Sequence, residues 1–159
     1  MKVPFYQVDA FADSLFSGNP AAVCLLDAWP GTNRLQCIAA ENNLSETAFV
    51  MPGKRDKWAI RWFTPKMEVD LCGHATLAAA HVLYVERGEA PEELVFTSRS
   101  GELKVSPLDG TGLGMDFPSV ATRKAAVSPL LLEGLGGYPS EIRVGVDCLC
   151  IFDAEEIVR

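Results

Sequence analysis

Between Asp70 and Glu86 the chain carries no charged residue. The stretch from about Gly73 to Arg87 reads as a helix, with Gly88 placed where a left-handed C-cap belongs. A helix without charge on any face must be buried on all sides. This run, from Leu71 to Val85, is too short and too rich in alanine to cross a bilayer. The protein therefore has to be built around it.

The remaining sequence supplies the wrapping. Val3 to Asp9 and Ala21 to Leu26 are apolar-rich runs joined through Gly18-Asn19-Pro20, strong turn chemistry. Lys57 to Thr64 alternates, with Trp58, Ile60 and Trp62 on one face, and Pro65 ends it. Leu94 to Thr97, Gly101 to Val105, Leu113 to Phe117 and Ile142 to Phe152 read as further strands. Asn33 to Asn42 reads as an amphipathic surface helix with a polar N-cap and apolar Leu35, Ile38 and Ala39. The simplest architecture is a curled sheet wrapped around one central buried helix.

Composition narrows the class. The 159 residues include 14 Lys+Arg and 21 Asp+Glu, a net charge of −7, and 48% are hydrophobic. That is a globular composition, and a chain of this length buries roughly 70% of its unfolded surface. Without a Lys/Arg cluster, neither nucleic acid nor an anionic membrane is expected as a main partner. Met1 to Gln7 holds no signal-peptide apolar run, so a cytoplasmic location is expected. Cys24, Cys37, Cys72, Cys148 and Cys150 form no C-x-x-C pair, and no metal site is expected from them. Cys148-x-Cys150 places two thiols on one strand face, where they read as small packed hydrophobes.

Chemistry concentrates at two places. Asp70-Leu71-Cys72-Gly73-His74-Ala75-Thr76 leads into the buried helix, whose first N–H groups lack partners and carry the positive dipole end. Such a start holds a carboxylate or a developing anion; equally, it can be no more than a capped core helix. Gly73 permits close ligand approach, and His74 adds a donor or proton carrier. His81, about 10 Å further along the axis, cannot share a metal ion with His74 and reads as a core histidine. Cys72, beside the helix start, reads as a thiolate base or as an inert buried thiol. The second place is Asn42 to Val50, where Glu46 opens an otherwise apolar strand. Pointing inward, its carboxyl should have a raised pKa suited to general acid/base work; pointing outward, it is an ordinary exposed glutamate. Gly110-x-Gly112-x-Gly114 precedes a strand rather than a helix and so lacks a phosphate-binding terminus.

Four motifs in register give the chain a family resemblance. Gly18-Asn19-Pro20-Ala21-Ala22-Val23, Asn43-Leu44-Ser45-Glu46-Thr47-Ala48-Phe49, Arg61-Trp62-Phe63-Thr64-Pro65 and Leu71-Cys72-Gly73-His74-Ala75-Thr76 resemble the phenazine-biosynthesis F (PhzF-like) isomerase family, and Asp9-Ala10-Phe11 agrees. The resemblance implies an α+β, diaminopimelate epimerase-like fold, in which each domain is a β-barrel-like mixed sheet around a central helix. It further implies a cofactor-free, metal-free site in a cleft between two such domains. There Glu46 would take and return a proton on a small carboxylated substrate such as trans-2,3-dihydro-3-hydroxyanthranilate, with Gly73, His74 and Asn19 binding it. Related epimerases and racemases resemble this site but use a cysteine at the matching helix start, which makes Cys72 the alternative base.

On the same resemblance residues 1–118 are expected to form the N-terminal epimerase-like domain, 119–140 a crossover linker, and 141–159 the start of a second, truncated domain. Half a cleft cannot orient a substrate or exclude water as a whole one does. Apolar edges left by the missing partner then lead to the expectation of a homodimer. Three functions stand at this point: a PhzF-like isomerase of phenazine-type biosynthesis, a Cys72-dependent racemase or epimerase, and a non-catalytic ligand-binding domain.

Overall fold

A computed structural model describes residues 2–89, 91–110 and 112–158. They form two compact units, one ending at Phe117 and the other beginning at Pro118. The first unit contains β1 (Phe5–Ala10), β2 (Asn19–Leu25), α1 (Thr32–Asn42), β3 (Glu46–Pro52), β4 (Trp58–Phe63), β5 (Glu68–Val69), α2 (Gly73–His81), β6 (Leu94–Ser98), β7 (Gly101–Pro107) and β8 (Leu113–Asp116). One mixed sheet runs β1-β2-β3-β4-β6-β7-β8, with β5 paired to β4. The β2–β3 and β4–β6 pairs are parallel, and the other pairs are antiparallel. Each parallel pair is joined by a helix that crosses a sheet face, α1 on one side and α2 on the other, as parallel pairing requires.

The sheet curls around α2. Ala75, Ala78, Ala79 and Ala80 are essentially inaccessible, and they pack with Ala21, Val23, Ala48, Val50, Ile60 and Trp62 from the inner face. Alanines on so many sides let β2, β3 and β4 come close to one helix axis. The outer face of the same strands presents Cys24, Phe49 and Phe63 to Leu35 and Ala39 of α1, and Phe49 meets Phe63 edge to face at 5.6 Å. Period-two alternation thus sorts each strand between two helices.

Three local details depart from the sequence reading. The central helix loosens after His81 into a π-helical turn over Val82–Glu86 before Gly88 closes it with φ +69°. The first helix starts one residue earlier, at Thr32, behind Gly31 and without a side-chain cap. His81 is exposed rather than a core residue. The reason is topological: β1 and β8 are the two ends of the sheet path, so the curl stays open there. A cavity of about 450 Å³ fills that gap, lined by Asp9 and Phe11 on one side, Leu113 on the other, and Leu77 and His81 below.

The second unit contains β9 (Arg123–Lys124), α3 (Pro129–Leu135), β10 (Glu141–Val144) and β11 (Cys148–Ile151). The three strands form an antiparallel sheet in the order β11-β10-β9. The single strand expected over Ile142 to Phe152 is therefore a hairpin, because Gly145-Val146-Asp147 turns the chain back. Cys148 is exposed and Cys150 half-buried, so the pair is not core packing as read from sequence. Residues 119–140 contain β9 and α3. Among the described residues no helix is long and apolar enough to cross a membrane.

Candidate active site

Strand parity builds the site. In β3, Ala48 and Val50 face α2, and Glu46 shares their parity, so its side chain is directed inward at the strand's first residue. In β2, Ala21 and Val23 face the same way, and Asn19 shares that parity at its own strand start. Parallel register sets Ala21 beside Glu46, which brings the two starts together at one end of the barrel. The helix α2 begins at that same end: Cys72 is its N-cap residue, with φ −149° and ψ 115°, and Gly73 and His74 are its first two residues.

His74 joins the two groups. Its Nε2 lies 3.3 Å from Glu46 Oε2 and 3.4 Å from Ser45 Oγ, and its Nδ1 lies 3.5 Å from Cys72 Sγ. The Glu46 and His74 side chains are 20% and 11% exposed, open enough to meet a ligand yet largely removed from water. With the ring proton on Nε2, His74 donates toward the Glu46 carboxylate while Nδ1 accepts from the Cys72 thiol. Burial pushes the Cys72 thiol up to about 11, the Glu46 charge adds to this, and the Ala75 N–H works against it. Cys72 therefore holds its proton at neutral pH, which weighs against its use as a thiolate base.

The supporting contacts fix these side chains. Thr76, fully buried, donates its hydroxyl to the Cys72 carbonyl at 2.6 Å and so pins the N-cap residue. Ser45 Oγ lies 3.1 Å from both Asn19 Oδ1 and the Pro20 carbonyl, either of which its proton can reach. Ser45 thus ties together the starts of β2 and β3 and the His74 ring. Sequence reasoning gave it no role of its own; its place in the Asn43 to Phe49 motif, immediately before Glu46, was the available signal. One donor atom from each of Glu46, Cys72 and His74 lies within 4.8 Å of the others. Of the sequence candidates, Glu46, Cys72, Gly73, His74 and Asn19 all collect at this end, whereas His81 stands apart at the far end of α2.

Comparisons with known proteins bear on this geometry. The family profile described as phenazine biosynthesis-like protein matches residues 8–127. An uncharacterized isomerase of Pseudomonas aeruginosa is 52% identical over 158 residues, covering 99% of this chain and 60% of its own length. The crystal structure of a PhzF-family phenazine biosynthesis protein from Enterococcus faecalis superposes with a TM-score of 0.89 at 44% identity, covering 99% of this chain and 60% of that one. A predicted epimerase of Pseudomonas aeruginosa, 22% identical with a TM-score of 0.70, shares the fold, covering 89% of this chain and 56% of its own. The chain spans about 60% of the length of the first two of these relatives.

Proposed function

Because the chain belongs to the phenazine biosynthesis-like family, we propose that it carries the proton-transferring half of an isomerase that acts on a small carboxylated metabolite, trans-2,3-dihydro-3-hydroxyanthranilate being the first to try. The observation that carries this reading is the inward Glu46 carboxylate, 3.3 Å from His74 Nε2 at the start of the buried helix. Partly shielded from water, that carboxylate takes a proton from one carbon and returns it to another, so one group serves as base and then as acid. His74 holds the carboxylate in position through the transfer. The first N–H groups of α2 and the helix dipole receive the substrate's own carboxylate, and Gly73 leaves the backbone open to it. The likeness to relatives named as isomerases supports the same reading. Relatives of this family extend beyond the region matched here, so the opposing wall of the cleft is part of the proposal.

The test is solvent exchange. Incubated in D2O with the substrate, the protein incorporates deuterium, and Glu46→Gln lowers the rate by about a hundredfold or more, the usual share of a positioned acid/base group. The variant keeps its circular dichroism spectrum and melting temperature. Full exchange in Glu46→Gln sinks the assignment.

A further inference from the structure

The Glu46, Cys72 and His74 side chains offer a second chemistry. Their donor atoms are a carboxylate oxygen, a sulfur and an imidazole nitrogen, all within 4.8 Å of one another. A tetrahedral ion with bonds of about 2.0–2.3 Å has donor–donor edges of roughly 3.3–3.8 Å. The Cys72 Sγ to His74 Nδ1 separation, 3.5 Å, already fits such an edge. Glu46 faces Nε2 on the other side of the ring, so sharing one ion requires its carboxylate to turn toward Nδ1, a move within the 4.8 Å that spans the three donors. We infer that these three residues bind one thiophilic divalent cation, zinc being the best match, through Cys72 Sγ, His74 Nδ1 and a Glu46 oxygen.

Three features make this more than proximity. The ligand types select the ion: thiolate and imidazole favour zinc or cobalt over magnesium and calcium, which take oxygen. The charges close, since one thiolate and one carboxylate balance a dication; Cys72 gives up its S–H proton to solvent as the metal–sulfur bond forms. The outer contacts are also in place. With Nδ1 on the metal, His74 Nε2–H faces Ser45 Oγ at 3.4 Å, and Thr76 holds the Cys72 backbone, the kind of support that orients metal ligands. Three protein ligands leave a fourth position for water or for a small carboxylate. The ion would occupy the lone pairs that Glu46 uses for proton transfer, so zinc inhibits the exchange reaction. That last consequence rests on the proposed function, whereas the binding does not.

The experiment uses the full chain with Cys37, Cys148 and Cys150 replaced by serine. These thiols are exposed or half-buried, and Cys148 and Cys150 have sulfurs 3.9 Å apart that would compete for the ion. Chelator-treated protein is titrated with zinc chloride by calorimetry and with cobalt(II) by absorbance. The expected result is one equivalent of zinc bound, a thiolate-to-cobalt charge-transfer band, and a fall in affinity of at least about tenfold with loss of the band in Cys72→Ser. If Cys72→Ser does not fold by circular dichroism, Glu46→Gln in the same background decides: the affinity falls by a similar factor and the band stays. Absence of zinc binding at millimolar concentration, or affinity unchanged in the variant, overturns the site. Zinc binding without deuterium exchange supports the metal site while counting against the acid/base reading; exchange without zinc binding does the reverse.

Discussion

Replacing Gly73 by alanine separates stability from function at the helix start. Gly73 is the first residue of α2, and its φ lies outside the left-handed region, so alanine adopts the same backbone without strain. A Cβ built there meets Met115 Cε and Phe117 Cε2 at 3.5 Å, ordinary van der Waals contact that displaces nothing. The folded state therefore accepts the methyl group, while the unfolded chain loses some of the conformational freedom that glycine gave it. The expected outcome is a stabilisation of about 0.4–1 kcal/mol, read as a rise of roughly 1–5 °C in melting temperature for a unit of this size. Activity should move the other way. The methyl group stands beside the N–H groups proposed to receive the substrate carboxylate, and displacing a ligand by about an ångström costs ten- to a hundredfold in rate. Thermal melts and deuterium exchange on the same preparations provide the assay. A destabilisation beyond about 1 kcal/mol would show that the helix start does not pack as described. Undiminished exchange would show that no ligand approaches the backbone at Gly73.

Two further predictions concern pH. Burial pushes the Cys24 and Cys72 thiols from 9.0 to about 11, so their contribution to stability is complete below pH 9 and disappears as pH rises through 11. Each thiol accounts for about 2–3 kcal/mol over that interval; urea midpoints should fall steeply there in the parent and less in Cys24→Ala, and parallel curves would refute this. At the acid end, the two-pronged hydrogen bond from Arg61, with Arg99 beside it, holds Glu68 below the ordinary carboxylate value of 4.5. Its stabilisation is present above pH 4.5 and is lost as pH falls through the lowered value. Glu68→Gln should cost about 1–3 kcal/mol at neutral pH and flatten the acid limb of the stability curve, as urea melts will record.

Much of the fold could be read locally. A stretch without charge from Leu71 to Val85 has few places to go, and the alternation of Trp58, Ile60 and Trp62 pointed to a sheet face covering it. The outer helix followed from its apolar spacing, and the crowding of motif residues at the start of α2 agrees with the resemblance. The errors lie where burial depends on distant chain. His81 reads as core because its neighbours are apolar, yet it faces the gap between β1 and β8, which only the order of strands creates. Cys148 and Cys150 read as packed for the same reason, yet they sit on β11 at the end of a three-stranded sheet.

For the site, the sequence by itself determined the chemical inventory and its parity: a carboxylate opening an apolar strand, and a glycine and histidine opening a helix that cannot tolerate water around it. Which way Glu46 points was left open by the sequence; it is settled by Ala48 and Val50 facing the inner core, because side chains alternate with a period of two. The tertiary structure alone decided that Glu46 and His74, 28 residues apart, meet at 3.3 Å, and that Ser45 and Cys72 flank the same ring. Such contacts arise from the pairing of β2 with β3 and from the crossing of α2 inside the curl. Both are long-range events whose free energy comes from the whole core, so no local window of residues encodes them.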